Sequence, residues 1–106
     1  MQCTQIVVYR VRPEALEAFR ALKEQLITEA HTLEGLLSSV TLASAEDPHL
    51  FVDQMQWTSH EAAAASTPAF ERLPSTPRFM GLLAGPPVLA GEFLHAAGDG
   101  LERPSA

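Results

Sequence analysis

Residues 46–70 read EDPHLFVDQMQWTSHEAAAASTPAF, a stretch that joins a turn, an apolar strand and an alanine-rich segment. The strand prediction covers residues 50–57, because apolar side chains occupy both alternation sets there, as in a strand buried on both faces. Thr58 and Glu61 form a T-x-x-E capping box, and the alanines at 62–65 are the strongest helix formers. The stretch therefore predicts a strand that leads directly into a helix.

Upstream, the sequence predicts a strand, a long helix and a second strand. Residues 3–12, CTQIVVYRVR, place β-branched and aromatic side chains on both alternation sets. Pro13 suits the first turn of a helix, whose apolar residues then recur at three- and four-residue steps until Gly35 ends it. The next strand, 36–43, is joined to the strand at 50–57 by the polar connection 44–49, so the two should pair as an antiparallel hairpin.

Downstream, prolines divide the helical region. We expect two or three short helical pieces between residues 59 and 84, with bends at Pro68, Pro74 and Pro77. Residues 88–96 read as a last strand. From residue 98 onward the chain has no periodicity, which is typical of a flexible tail.

The predicted order is β-α-β-β-α-β, the ferredoxin-like split arrangement of the α+β class, with a four-stranded antiparallel sheet and two helices on one face. One domain spans residues 1–97, and residues 98–106 form the C-terminal tail. Because the helices cover one face while several strands are apolar on both, a second sheet should pack on the other face. The sequence therefore predicts a homodimer.

Composition excludes several classes of protein. The chain has 106 residues, 46% of them hydrophobic and 19% charged, and a net charge of -6 with scattered basic residues, so nucleic acid is not an expected partner. No apolar run is long enough to cross a bilayer and the start lacks a signal peptide, so a soluble, cytoplasmic protein without a membrane partner is expected. Cys3 is the single cysteine, which excludes an intrachain disulfide.

Motifs for common cofactors and metals are absent from the sequence. The four histidines show neither H-x-H nor H-x-x-x-H spacing, so no metal site is expected. Glycine-rich dinucleotide and phosphate loops and the G-x-S-x-G motif are also missing, which argues against nucleotide-dependent enzymes and serine hydrolases. We therefore expect no cofactor.

Several short motifs occur together in a defined order. They are Arg12-Pro13 after the first strand, Glu46-Asp47-Pro48 before the third, Phe51 and Trp57 within it, the alanine-rich helix, and Thr67-Pro68-x-Phe70. In this order and spacing, residues 4–96 resemble the antibiotic biosynthesis monooxygenase-like family of dimeric α+β barrel domains. The resemblance implies a dimer whose sheets face each other, with a cavity between sheet and helices in each protomer.

The resemblance also implies a range of chemistry, from cofactor-independent monooxygenases of phenolic polyketides to quinol oxygenases and haem-degrading enzymes. Haem-degrading relatives have an asparagine where this chain has Tyr9, and a ligand histidine where it has Thr67. Of that set only Trp57 is kept, so haem binding is disfavoured. A histidine that is frequent in the family at the position of Ser66 is also absent, and His60 lies one turn earlier.

Alternation places Phe51, Asp53, Met55 and Trp57 on one face of the third strand. A carboxylate among apolar side chains is costly unless it is paired or takes up a proton, so Asp53 is the candidate catalytic residue, accepting the proton of a phenol. The alternative is that Asp53 lies at an open rim or pairs with an arginine. Gln54 and Gln56 should point to the opposite face.

Four further residues are candidates for binding a small aromatic molecule. Trp57 offers a flat ring and an N–H, and Tyr9 a hydroxyl, although core packing explains both residues as well. Phe51 and His60 complete the set, with a surface or capping role as the alternative for His60. The leading hypothesis is a monooxygenase-like domain that oxidises a small phenol or quinol without a cofactor. The alternative is a non-enzymatic small-molecule-binding or assembly domain of the same fold.

Overall fold

The computed structural model describes residues 1–99, and residues 100–106 of the predicted tail lie outside this range. These residues form four strands and three helices. In chain order these are β1 (Cys3–Arg10), α1 (Leu16–Ala30), β2 (Leu36–Ala43), β3 (Leu50–Trp57), α2 (His60–Phe70), α3 (Thr76–Gly81) and β4 (Leu89–Phe93). A single 3₁₀ turn, Pro13–Ala15, leads into α1. The α+β fold class is as predicted.

The four strands form one antiparallel sheet in the order β2-β3-β1-β4. This is the ferredoxin-like arrangement, in which β1 and β3 occupy the centre. Across the central pair, Val7 lies opposite Asp53 and Tyr9 lies opposite Phe51. Thr41 of β2 lies opposite Asp53 on the other side. The register therefore brings three strands together around Asp53.

The core lies between the sheet and the helices and is rich in aromatic rings. Tyr9, Phe19, Phe51 and Phe79 are all buried. The ring of Phe19 lies 4.5 Å from that of Phe51, and the ring of Tyr9 lies 5.6 Å from that of Phe79 in an edge-to-face contact, measured between centroids. Such contacts add to the stabilisation from burial alone. They fix α1 and α3 over the strands that carry the polar side chains described below.

The other face of the sheet is not covered by any element of the described chain. Because alternate residues point to opposite faces, Ile6 and Val8 of β1 face away from the helices. On the edge strands, Val40, Leu42, Leu89 and Phe93 of the same face are 46–49% exposed. The predicted uncovered apolar face is therefore present in the chain.

The predicted cap of α2 was wrong, and α2 is not divided at its proline. The N-cap is Ser59, one residue after the predicted Thr58, and its hydroxyl accepts a hydrogen bond from the N–H of Ala62 at 3.0 Å. The helix continues through Pro68, so the region between residues 59 and 84 forms the two helical pieces α2 and α3, within the predicted two or three. Proline removes the hydrogen bond to the carbonyl four residues earlier, but that residue, Ala64, is exposed, so water can replace the lost donor.

The ends of other elements also differ from the prediction. α1 ends at Ala30, before the predicted stop at Gly35. Gly35 instead precedes β2 with a φ of +88°, a conformation that favours glycine. The first and last strands are shorter than the predicted 3–12 and 88–96. In the part of the chain that the structure describes, no helix has the length and apolar character needed to span a membrane.

Candidate functional site

A cavity of about 170 Å³ lies between the sheet and the helices. Three strands and all three helices contribute to its wall, which is mostly apolar. Its apolar lining includes Val7, Leu26, Ile27, Ala30, Leu33, Leu36, Met55, Phe70, Phe79 and Leu83. Met80, Thr67 and Pro87 line the same cavity and are exposed, so the cavity opens to solvent on their side.

Asp53 is the centre of a buried polar cluster on this wall. As a residue Asp53 is 7% exposed, and its carboxylate accepts three hydrogen bonds. The hydroxyl of Tyr9 donates to Oδ1 at 2.9 Å and that of Thr41 to the same oxygen at 2.8 Å. The ammonium of Lys23 donates to Oδ2 at 2.6 Å. Asp53 is thus buried and paired, and its partner is a lysine where an arginine was the predicted alternative.

Lys23 reaches the cluster from the buried side of α1. The side chain is 9% exposed as a residue, and its Nζ lies 4.7 Å from the ring centroid of Phe79 and 5.7 Å from that of Tyr9. Both distances allow attraction between a cation and the face of an aromatic ring. The ammonium is therefore held by one carboxylate and two rings, with its charge compensated by Asp53.

Tyr9 is a neutral hydrogen-bond donor in this cluster. Burial in the aromatic core, and then the negative charge of Asp53 and the hydrogen bond to it, raise the pKa of Tyr9 well above its ordinary value. The tyrosine hydroxyl therefore keeps its proton at neutral pH.

Trp57 lies further along the cavity wall and is oriented by a neighbouring strand. It is 1% exposed, and its indole N–H donates to Oε1 of Gln5 at 3.1 Å. This bond leaves the amide N–H₂ of Gln5 as a further donor at the wall. Val7 and Met55 separate this pair from the Asp53 cluster along the sheet, because Gln5, Val7 and Tyr9 alternate on one face of β1.

A carboxylate on α1 attaches the third helix over the cavity. Oε1 of Glu29 accepts the backbone N–H of Ser75 at 2.9 Å, and Oε2 accepts the Ser75 hydroxyl at 2.6 Å. The hydroxyl bond is the main reason that the pKa of Glu29 is lowered. Ser75 immediately precedes α3, which supplies Phe79 and Met80 to the wall.

The five predicted site residues occupy different positions. Asp53, Trp57 and Tyr9 all line the cavity, as alternation on β1 and β3 implied. Phe51 is buried behind them, with its ring 6.2 Å from that of Tyr9. His60 pairs with Glu92 of β4 at 2.8 Å on the outside of the protein. The structure brings the first three together, while substrate binding by Phe51 and His60 stays a prediction.

Sequence reasoning missed two members of the cluster, Lys23 and Thr41. A signal for Lys23 was present, because it follows Phe19 by four residues and precedes Leu26 by three, which places it on the apolar face of the helix. Thr41 had no comparable signal, since its role depends on the register between β2 and β3. Among residues 1–99, no three His, Cys, Asp or Glu side chains lie close enough together to hold a metal ion.

Comparison with known proteins gives a family and a set of related folds. The sequence profile described as antibiotic biosynthesis monooxygenase matches residues 3–73. No curated protein matches the chain significantly. A conserved protein from Methanosarcina mazei Go1 has a TM-score of 0.72 at 16% identity, with 88% of this chain and 91% of that chain covered.

Two other solved structures cover nearly the whole chain. Rv0793 from Mycobacterium tuberculosis has a TM-score of 0.70 at 20% identity, with 94% of this chain and 100% of that chain covered. SnoaB, a cofactor-independent oxygenase from Streptomyces nogalater, has a TM-score of 0.68 at 18% identity, covering 96% of this chain and 98% of its own. At these identities the likeness establishes a shared fold.

Proposed function

The chain belongs to the antibiotic biosynthesis monooxygenase family, and on this premise we propose that it oxidises a small phenol or quinol with molecular oxygen and without a cofactor. The observation that carries the proposal is a buried carboxylate with polar partners on the wall of an otherwise apolar cavity. An apolar wall suits an aromatic ring, while one localised polar cluster can orient its hydroxyl group.

The size of the cavity favours a single aromatic ring. Its volume is about 170 Å³, and an apolar cavity of about 150 Å³ in another protein accommodates benzene. A phenol or hydroquinone with small substituents therefore fits within the wall. Larger groups on the ring would extend through the opening beside Thr67 and Met80.

Asp53 is the proposed proton acceptor in this reaction. Removal of the phenolic proton gives an electron-rich phenolate, which is the form that reacts with oxygen. Conversion of a phenol to a quinone then balances without a reductant: one oxygen atom enters the ring, and the other leaves as water with two hydrogens from the substrate. Tyr9 and Thr41 orient the carboxylate, and the ring of Trp57 provides a flat wall for the substrate.

One observation favours a non-enzymatic alternative. The three hydrogen bonds to Asp53 are also what a purely structural buried ion pair requires, because an uncompensated buried charge is strongly destabilising. A binding domain of the same fold could use this cluster to select a hydroxylated aromatic ligand. Turnover distinguishes the two functions.

Oxygen uptake with a panel of single-ring phenols, hydroquinones and anthrones tests the proposal. We expect uptake with the single-ring compounds, a loss of about 10²-fold or more in Asp53→Asn, and a reduced rate in Trp57→Phe. Glu24→Gln, which replaces an exposed carboxylate on α1, is the control and should consume oxygen at the same rate as the parent protein. Ligand-induced stabilisation without oxygen uptake would contradict turnover and support the binding alternative.

We also propose that two copies associate through the uncovered sheet face. Support comes from Val40, Leu42, Leu89 and Phe93, which leave a large apolar area exposed in the single chain. Size-exclusion chromatography with light scattering should give a dimer at micromolar concentration. Val40→Glu should weaken it, whereas Arg20→Glu on the exposed side of α1 should not. A monomeric parent protein would contradict this assembly.

A further inference from the structure

We propose that Lys23 is a specificity-determining residue, which makes the cavity bind a phenol as its phenolate anion. The phenolic class of ligand rests on the proposed function. The role of Lys23 is separate from it, because binding of an anion by the ammonium requires no reaction with oxygen.

The ammonium has capacity for a second acceptor. Within residues 1–99, the one hydrogen bond that Lys23 donates to a protein group is the bond to Asp53. An ammonium carries three N–H groups, so two remain available. The rings of Phe79 and Tyr9 face the cation but contribute no acceptor atom. An oxygen atom of a ligand in the cavity can therefore bind to Lys23 beside Asp53.

Charge balance favours the anion in this position. Among the cavity-lining residues of the described range 1–99, Lys23 is the one cation and Asp53 the one carboxylate, so their charges cancel. When a neutral phenol transfers its proton to Asp53, the negative charge moves to the phenolate oxygen and Lys23 still faces a negative partner. The net charge stays constant, and no buried charge is left unpaired at any stage.

The hydroxyl groups of the cluster cannot replace Lys23. Tyr9 and Thr41 already donate to Oδ1 of Asp53, and neither carries a positive charge. Gln5 and Trp57 are also neutral and bond to each other. Preference for an ionised oxygen over a neutral hydroxyl therefore depends on the ammonium.

The test uses 4-nitrophenol, whose phenol and phenolate forms have different absorption bands, so the ionisation state of the bound probe is read directly. Each single variant leaves one buried charge without its partner and so costs stability. Lys23→Met would also leave the carboxylate of Asp53 facing an anionic probe, whereas in Asp53→Asn the probe itself can take the place of the missing carboxylate. Asp53→Asn and a double variant therefore carry the experiment. Asp53→Asn keeps the ammonium and removes its carboxylate, while Lys23→Met combined with Asp53→Asn removes both charges. Arg20→Met, on the exposed side of α1, is the matched control.

We expect the parent protein to bind the probe as the phenolate. Asp53→Asn should bind the phenolate at least about tenfold more tightly than the double variant, which corresponds to one hydrogen bond between charged groups. Asp53→Asn should also bind the phenolate more tightly than the parent protein does, because the anion then replaces the carboxylate beside Lys23. Arg20→Met should match the parent. Circular dichroism of each variant checks that the fold is retained.

Equal phenolate affinity in Asp53→Asn and the double variant would overturn the role of Lys23, as would binding of the probe in its neutral form. These outcomes are distinguishable from a failure of the proposed function. If the protein consumed oxygen but bound the phenolate equally well without Lys23, the proposed enzyme activity would stand and the role of Lys23 would be rejected. If phenolate binding depended on Lys23 but no oxygen were consumed, the role of Lys23 would stand and the proposed enzyme activity would be rejected.

Discussion

Substitution of Gly35 by alanine should destabilise the protein for two separable reasons. Gly35 lies between α1 and β2 with a φ of +88°, which an L-residue adopts only with strain. A Cβ atom at this position would lie 2.7 Å from the Cβ of Ala62 in α2 and 3.0 Å from Oγ1 of Thr58. The backbone carbonyl of Gly35 also accepts the N–H of Thr58 at 2.9 Å, so the two segments cannot separate freely.

The two effects have similar magnitudes. Strain at positive φ costs about 1–2 kcal/mol, and overpacking against Ala62 costs about 1–3 kcal/mol. We therefore expect Gly35→Ala to lower the free energy of unfolding by about 2–5 kcal/mol. Gly85 has a φ of +90° with no atom within 4 Å of the added Cβ, so Gly85→Ala should show the strain alone. Gly81 has open space and ordinary φ, so Gly81→Ala should change stability by less than about 1 kcal/mol.

Urea unfolding followed by circular dichroism measures all three variants under the same conditions. The expected order of stability is Gly81→Ala, then Gly85→Ala, then Gly35→Ala. If Gly35→Ala were no less stable than Gly85→Ala, the close approach of the turn to α2 would have no energetic effect. If Gly85→Ala were as stable as Gly81→Ala, the strain attributed to positive φ would be refuted.

Three further predictions concern charged and hydroxyl groups. Lys23→Met should lower the free energy of unfolding by about 3–5 kcal/mol, because it leaves Asp53 unpaired. Adding Asp53→Asn should recover more than half of that loss. If urea unfolding gave the same loss for the single and the double variant, the pairing of Lys23 with Asp53 would be contradicted. The pKa of Glu29 is lowered in the folded state, so its contribution to stability is present above the ordinary value of 4.5 and is lost as pH falls through the lower folded value. Glu29→Gln should therefore show a smaller fall of Tm on acidification, and parallel Tm profiles would count against the bond to Ser75. Tyr9 is the sole tyrosine of the sequence, and because its pKa is raised in the folded state, its contribution to stability is lost as pH rises above the ordinary value of 10.0. The absorbance of tyrosinate should therefore appear only when the protein unfolds. Tyrosinate absorbance in the native protein would refute the argument from burial.

Much of the fold could be predicted because hydrophobic patterns repeat along each element. The hairpin of β2 and β3 matches the predicted 36–43 and 50–57, since both strands end at clear turn signals. The ends of the helices were less predictable. Ser59 and Thr58 are both good N-caps by residue type, and the structure uses Ser59. Pro68 is tolerated within α2 because the helix is exposed at the turn that loses a hydrogen bond. This exposure depends on how the helix packs and cannot be read from the local sequence.

The site could be predicted in part for a similar reason. Alternation along one strand placed Asp53 and Trp57 on the same face, and the structure puts both at the cavity. The partners of Asp53 come from other elements, so they depend on register and helix packing. Lys23 was visible as the charge on an apolar helix face, but nothing local linked it to a carboxylate 30 positions away in the chain.

Trp57 also gives the protein an internal optical reporter. It is the single tryptophan of the chain, it is 1% exposed, and its ring forms part of the cavity wall. Its fluorescence therefore comes from one known location, with the indole N–H held by Gln5. A quinone formed in the cavity would lie near this fluorophore and quench it, so product formation and release could be followed in real time without any attached label.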